Sequence, residues 1–400
     1  MTLPAPIDQA IILLGAEANM VALSGVNGLP FLAHVLRNVA RVGVNDLLLL
    51  VTGEASAGLA AFEGQVFGEA RCRVLTAPGA MGSAGALAHV AAELAEGFYL
   101  LPGTRYFDFD LNALSPEALS SQAPDCLAAM AVRKAAADSP SRRLQVGSGV
   151  GVNTVAGFAE DGIGNADREI DTGFYALSRE ALSSVADHAS LERDVIPELA
   201  ASGRARRVLA EGYFIDLDQP GALDKVRRDF PGALRRPAVF FDRDGVLNHD
   251  TGYTHKPEDL RLIDGVVETI RRCNRANRYV FVVTNQSGVA RGLYTVEAVR
   301  TFHAAMQREL RRAGAHIDAL YLCPHHPEGT VETYAKACDC RKPGTGMFLR
   351  ALEEWPVEVG ASVMIGDKPS DMEAAAAFGI AGFQFGGGNL ERFCEENGVI

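Results

Sequence analysis

The chain lacks any apolar run approaching the ~18 residues that a membrane-crossing helix needs. Its first ten residues, MTLPAPIDQA, lack the basic start and apolar core of a secretory signal. The 7 cysteines show no disulfide spacing of the secreted kind, and the chain has no low-complexity tract and no short internal repeat. Positive charge is scarce: 38 Lys and Arg stand against 50 Asp and Glu, and the first lysine is Lys134. Residues 1–235 hold 19 basic against 28 acidic groups and residues 236–400 hold 19 against 22, so neither half offers the footprint of a nucleic-acid binder. These absences predict a soluble, cytoplasmic protein that engages neither membrane nor nucleic acid. An anionic substrate would have to be held by a local cluster of basic groups.

What is present is ample core material, 48% hydrophobic over 400 residues, which suggests two domains. Short apolar runs at residues 10–14, 46–51, 73–76, 98–101 and 126–132 read as strands, with helices at 28–42 and 83–94 between them. The style repeats at 238–241, 279–283, 319–322, 362–365 and 382–385 without repeating the sequence. Such alternation predicts mostly parallel sheets covered by helices, an α/β fold in both halves. A helix over 296–313 is well marked: Thr295 can cap it, Gly314 can end it, and Val296, Val299, Phe302, Met306 and Leu310 share its inner face. Asp264 and Gly265 read as another helix start, with Asp264 as the cap. The Pro/Gly-bounded stretch at 231–237 reads as a linker between domains at 1–230 and 238–400.

The chemistry gathers in the second half. The run at 238–241 ends in Asp242 and Asp244; Thr284 follows the run at 279–283, Asp367 follows that at 362–365, and Lys342 lies between them. Ligands of a parallel sheet bind beyond the carboxyl ends of its strands, so one hydroxyl, one lysine and three carboxylates should meet on one rim. Asp242 can attack phosphorus and form an acyl phosphate, and Asp244 can protonate the leaving oxygen and later activate water. Mg²⁺ would suit Asp242, Asp367 and the backbone carbonyl of Asp244. Asp371 reads as orienting Lys342 or the metal's waters, and Arg243 and Arg291 also admit a plain role as solvated loop arginines.

A second constellation precedes Lys342. Cys323 and His325, then Cys338 and Cys340, form two close pairs of soft ligands joined by a loop, the spacing of a closed tetrahedral Zn²⁺ site. His325 fits the spacing and His326 does not. The site would be structural, tying down the loop ahead of Arg341 and Lys342.

Asp242-Arg-Asp-Gly, Thr284-Asn-Gln-Ser, Arg341-Lys-Pro and Gly366-Asp-Lys-Pro-Ser-Asp, in that order, resemble the four motifs of the haloacid dehalogenase superfamily. With the Cys/His insertion, residues 237–388 resemble its subgroup of D-glycero-D-manno-heptose 1,7-bisphosphate 7-phosphatases and histidinol-phosphate phosphatases. The resemblance implies a parallel-sheet phosphatase domain with a zinc-binding loop and no large cap, acting on a small phosphorylated sugar. It implies substrate contacts from Asp250, Thr251, Gly252, Tyr253, Thr284, Asn285, Gln286, Ser287, Arg341, Lys342 and Lys368. The segments at 250–253 and 323–329 lean to the heptose enzymes of nucleotide-heptose biosynthesis, with histidinol phosphate as the alternative substrate.

Residues 8–228 resemble sugar-phosphate nucleotidyltransferases diffusely, at 26–32, 82–87, 171–175, 191–197 and 212–220, the last carrying Asp216. This implies a nucleotidyltransferase-like Rossmannoid sheet. Its tools are absent: the phosphate loop reads Gly15-Ala-Glu-Ala-Asn with Glu17 where phosphates would approach, and Thr104 stands where a metal aspartate is expected. The expectation is a catalytically silent domain. It could instead be a sugar- or nucleotide-sensing module, a platform for self-association, or one half of a bifunctional transferase–phosphatase.

Overall fold

The computed structural model describes residues 6–15, 18–115, 125–134, 143–146, 155–159, 169–183, 185 and 189–400. The chain divides into two compact units, Met1–Asp229 and Phe230–Ile400. The segment read as a linker begins inside a helix, Ala222–Ala233.

In the first unit the strand Gln9–Leu14 is flanked by Asp46–Thr52 and Gly97–Pro102, both parallel to it, and Ala70–Ala77 continues the parallel order. Beyond Gly97–Pro102 the direction reverses. Glu169–Ser178 pairs antiparallel with that strand and with Ala128–Lys134, which in turn takes Ala205–Leu209 in parallel. At the opposite edge the short strand Val66–Phe67 runs antiparallel to Ala70–Ala77. The sheet is therefore parallel at its centre and mixed toward both edges, where apolar alternation alone could not tell an antiparallel return from a crossover. One face packs Ile11, Leu48, Phe98, Leu100, Met130 and Tyr175 against Leu87 and Ile196 from helices. Glu17 lies outside the described residues.

The second unit is a five-stranded parallel sheet in the order Ala319–Cys323, Tyr279–Asn285, Ala238–Phe241, Val363–Gly366, Ala381–Gln384. Successive side chains of a strand point to opposite faces, and here both faces are covered. Val239, Phe241, Val280, Val282 and Ile365 meet Ile270, Phe302, Met306 and Leu390 on one side. Ala238, Phe240, Phe281, Val283 and Met364 meet Met347, Phe348 and Ala374 on the other. The helix Val296–Arg312 starts as expected, with the Thr295 hydroxyl accepting from Ala298 N at 3.1 Å, and Gly314 follows it at φ +71°. The helix Val266–Arg275 differs from expectation. Its cap is Gly265, in the left-handed region at φ +83°, with no side-chain cap: the chain turns one residue later than expected, which puts the glycine and not Asp264 at the cap, and the Asp264 carbonyl accepts from Leu390 N at 2.8 Å. Strand order reverses around Ala238–Phe241, which opens a crevice at its carboxyl end.

Candidate active site

Asp242 leaves the central strand at that crevice. Its N–H donates to Ile365 O at 2.9 Å, and its side chain is buried. Lys342 reaches it from the loop before the helix Gly346–Glu354: Nζ stands 2.8 Å from Asp242 Oδ1 and 2.7 Å from Asp371 Oδ1, and donates to Val283 O at 2.7 Å. Burying an ammonium is costly unless acceptors surround it, and this one has three. Asn285 holds the lysine's own peptide, donating Nδ2 to Lys342 O at 3.1 Å and accepting from Lys342 N at 3.0 Å. Both polar ends of its amide are therefore used on the Lys342 backbone.

Asp367 follows the strand Val363–Gly366. The carboxylates of Asp242, Asp367 and Asp371 lie within 4.8 Å of one another. Burial pushes the Asp367 carboxyl up to about 6, with Asp242 and Asp371 adding to the rise and Lys368 opposing it. Its Oδ1 is buried without a hydrogen-bond partner. An orphaned oxygen among crowded carboxylates fits a hard divalent cation with oxygen ligands, as Mg²⁺ is. Gly245 leaves the space: its φ of +87° favours glycine, and a Cβ there would stand 2.6 Å from Asp367 Oδ2. Lys368 Nζ, half exposed, lies 3.6 Å from the same Oδ2, and its backbone N–H donates to Asp371 Oδ2 at 3.0 Å.

The Asp244 carboxylate lies outside that cluster. It accepts from Arg243, Asn248 Nδ2 at 3.1 Å and Gln286 Nε2 at 2.8 Å. The view of Arg243 as a solvated loop arginine is thereby corrected: it is fully buried, with its guanidinium 4.6 Å from the Phe302 ring centre. Arg291 is half-buried, 3.8 Å from Glu328. Thr284 is buried at the end of its strand, where Oγ1 accepts from Gln286 Nε2 at 2.9 Å, and Ser287 opens the next short helix half-buried. Asp250, Thr251, Gly252 and Tyr253 form an exposed turn, closed by Gly252 N donating to Asp250 Oδ1 at 2.9 Å and by Thr251 N donating to Thr254 Oγ1 at 3.1 Å. Tyr253 sits at φ +57° with its ring edge against Tyr294, whose hydroxyl donates to Gln286. His303, on the helix Val296–Arg312, sets Nε2 3.4 Å from Arg243 Nη1. Asn248, Tyr294 and His303 stand in none of the motifs at the strand ends, so nothing in the sequence ties them to the site.

Cys323, His325, Cys338 and Cys340 come together on the neighbouring loop. Sγ atoms lie 3.3–3.5 Å apart, and His325 Nδ1 is 3.4 Å from Cys340 Sγ and 3.8 Å from Cys323 Sγ. Those separations are too long for disulfides at ~2.05 Å. They approach the ~3.8 Å edge of a tetrahedron with ~2.3 Å Zn–S bonds. Burial pushes the Cys323 and Cys340 thiols up and the His325 imidazole down, whereas the Cys338 thiol, despite its burial, is drawn down by hydrogen bonds from Cys340 and Cys323; a cation is what would let Cys323 and Cys340 ionise as well. His326 stands apart, its Nδ1 accepting from Glu328 N. Arg341 is tied to the cluster, with Nη1 donating to His325 O at 3.4 Å.

Comparison with known proteins adds three findings. A family model described as "HAD-hyrolase-like" matches residues 339–392. Among curated proteins, the chain is 49% identical over 164 residues to D-glycero-beta-D-manno-heptose-1,7-bisphosphate 7-phosphatase of Rhodopseudomonas palustris, covering 41% of this chain and 91% of that one. The Escherichia coli K12 protein of the same name is 43% identical over 144 residues, 36% and 75% of the respective chains. Among solved structures, a D,D-heptose 1,7-bisphosphate phosphatase of B. bronchiseptica in complex with magnesium and phosphate is 32% identical, covering 41% of this chain and 88% of that one at TM-score 0.35. HddC of Yersinia pseudotuberculosis is 18% identical, covering 56% and 100% at TM-score 0.48.

Proposed function

The chain belongs, through its second unit, to the heptose-bisphosphate phosphatases of the haloacid dehalogenase type, and from that premise we propose that it removes the 7-phosphate of D-glycero-D-manno-heptose 1,7-bisphosphate. The observation that carries the reading is the buried Asp242 carboxylate, at the carboxyl end of the central strand, with Lys342 Nζ 2.8 Å away and Asp367 beside it. Lys342 anchors Oδ1 and so orients the carboxylate for attack on phosphorus. As the Asp242–phosphorus bond forms, the bond from phosphorus to the sugar oxygen breaks and Asp244 gives that oxygen its proton. Asp244, now a carboxylate, takes a proton from the water that attacks phosphorus next. Inorganic phosphate leaves and Asp242 is restored. Magnesium, held by Asp242, Asp367 and the Asp244 carbonyl, would supply positive charge to the phosphoryl oxygens.

The sugar contacts we assign are Asp250, Thr251, Gly252, Tyr253, Ser287, Arg341 and Lys368, since Asn285 and Gln286 are used within the protein. The Cys323, His325, Cys338 and Cys340 cluster would hold one structural zinc and fix the Arg341–Lys342 loop, which suits a reducing, cytoplasmic setting. The first unit performs no nucleotidyl transfer in this reading. Asp216 is already paired with Arg105 Nε at 3.0 Å, and the Thr104 hydroxyl is bound to Asp218 at 3.0 Å. It remains the candidate surface for self-association.

Replacing Asp242 with Asn tests the chemistry. Turnover should vanish, and a beryllium fluoride adduct should form on Asp242 of the wild type alone. Full turnover in Asp242→Asn would overturn the mechanism.

A further inference from the structure

The Asp244 carboxylate accepts five hydrogen bonds from three side chains. Arg243 gives Nε at 3.1 Å and Nη2 at 2.8 Å to Oδ1, with Nη2 also 2.8 Å from Oδ2. Asn248 Nδ2 adds 3.1 Å to Oδ1, and Gln286 Nε2 adds 2.8 Å to Oδ2. Each donor is itself fixed. The Arg243 guanidinium donates to Thr254 O at 2.6 Å and lies against Phe302. Asn248 Nδ2 also donates to His249 O at 2.9 Å. Gln286 cannot turn its amide over, because Oε1 accepts from the Tyr294 hydroxyl at 2.8 Å while Nε2 serves Asp244 and Thr284. A flip would set acceptor against acceptor. Tyr294 in turn packs where Gly288 has no Cβ, since one built there would overlap its ring.

We propose that Arg243, Asn248 and Gln286 are positioning residues that set the Asp244 carboxyl group for proton transfer, and that none of the three binds substrate. The proposal rests on the reading of Asp244 as the acid and base of the phosphatase reaction. Burial argues against substrate contact: Arg243 and Asn248 are 0% exposed and Gln286 2%. Geometry argues for positioning, because a carboxylate gripped from both oxygens cannot rotate about its Cβ–Cγ bond, and proton transfer depends on that orientation. The clamp also joins two segments, the loop after Phe241, which carries Arg243 and Asn248, and the segment after Asn285, which carries Gln286. The acid is thus seated only when both are folded around it.

Substrates that differ in their need for a proton separate this role from others. A sugar phosphate must have its leaving oxygen protonated; p-nitrophenyl phosphate leaves without help. In the full-length holoenzyme, Gln286→Met and Arg243→Lys should each lower kcat/KM for the sugar phosphate ~10²-fold, within the range of one acid–base group. For p-nitrophenyl phosphate, kcat/KM should stay within about threefold, and nitrophenolate should appear as a burst before a slow steady state, because a misaligned Asp244 no longer activates water. Asp244→Asn is the reference. If it shows no such selectivity, the reading of Asp244 fails. If it does and the clamp variants lose both substrates in parallel, or raise KM for the sugar phosphate with kcat unchanged, the positioning role is overturned.

Discussion

Lys342 is the residue on which the charge balance of the site turns. It lies buried between Asp242 and Asp371, two carboxylates that would otherwise face each other across a desolvated gap. Removing one member of such a group leaves the others buried and uncompensated, at a cost of about 3–5 kcal/mol. Lys342→Met should therefore lower unfolding stability in urea by about that much as well as abolish turnover. Stability unchanged within about 0.5 kcal/mol would mean that the pair adds nothing on balance. Asp244→Asn makes a contrasting case: it keeps the backbone carbonyl assigned to magnesium, so metal binding by calorimetry should persist while turnover falls ~10²-fold or more.

At the scale of elements, what the sequence made legible and what it hid follow from the same physics. Strand ends carrying Asp242, Thr284 and Asp367 were readable because buried parallel strands are apolar runs that stop abruptly at polar chemistry. The helix Val296–Arg312 was readable from its cap and stripe. Its buried His303, Gln307 and Arg311 were not, because polar side chains on an inner face are recognisable only once their partners are known. The burial of Arg243 was hidden for that reason, and Asp264 missed the cap because a left-handed glycine took it. The long antiparallel strand Glu169–Ser178 was read only as a short family-like segment. The cysteine cluster was fully legible by spacing and yields a metal-removal prediction. Purified protein should hold about one zinc. Cys72, Cys273 and Cys394 are pushed by burial up to about 12, so only about one in ten thousand of each is thiolate at pH 8. A thiol reagent at that pH should find none of them in the native protein. A strong chelator should expose Cys338 and Cys340, the two half-exposed ligands, to rapid labelling. Labelling at Cys338 and Cys340 that is equally fast without chelator would contradict a bound metal.

At the scale of the whole molecule, the two units face different tests. Full-length protein given a nucleoside triphosphate and a heptose or hexose 1-phosphate should form no nucleotide sugar above a blank, because Arg105 already neutralises Asp216 and Thr104 offers no carboxylate. Phosphatase activity, by contrast, should depend on the second unit's residues alone. The measurement that bears most directly on the central claim is magnesium-dependent phosphate release from a panel of phosphomonoesters, compared as kcat/KM. Heptose 1,7-bisphosphate should exceed histidinol phosphate by on the order of 10²-fold or more, with one phosphate released per molecule and the 1-phosphate retained. Preference for histidinol phosphate, or release of the 1-phosphate first, would contradict it.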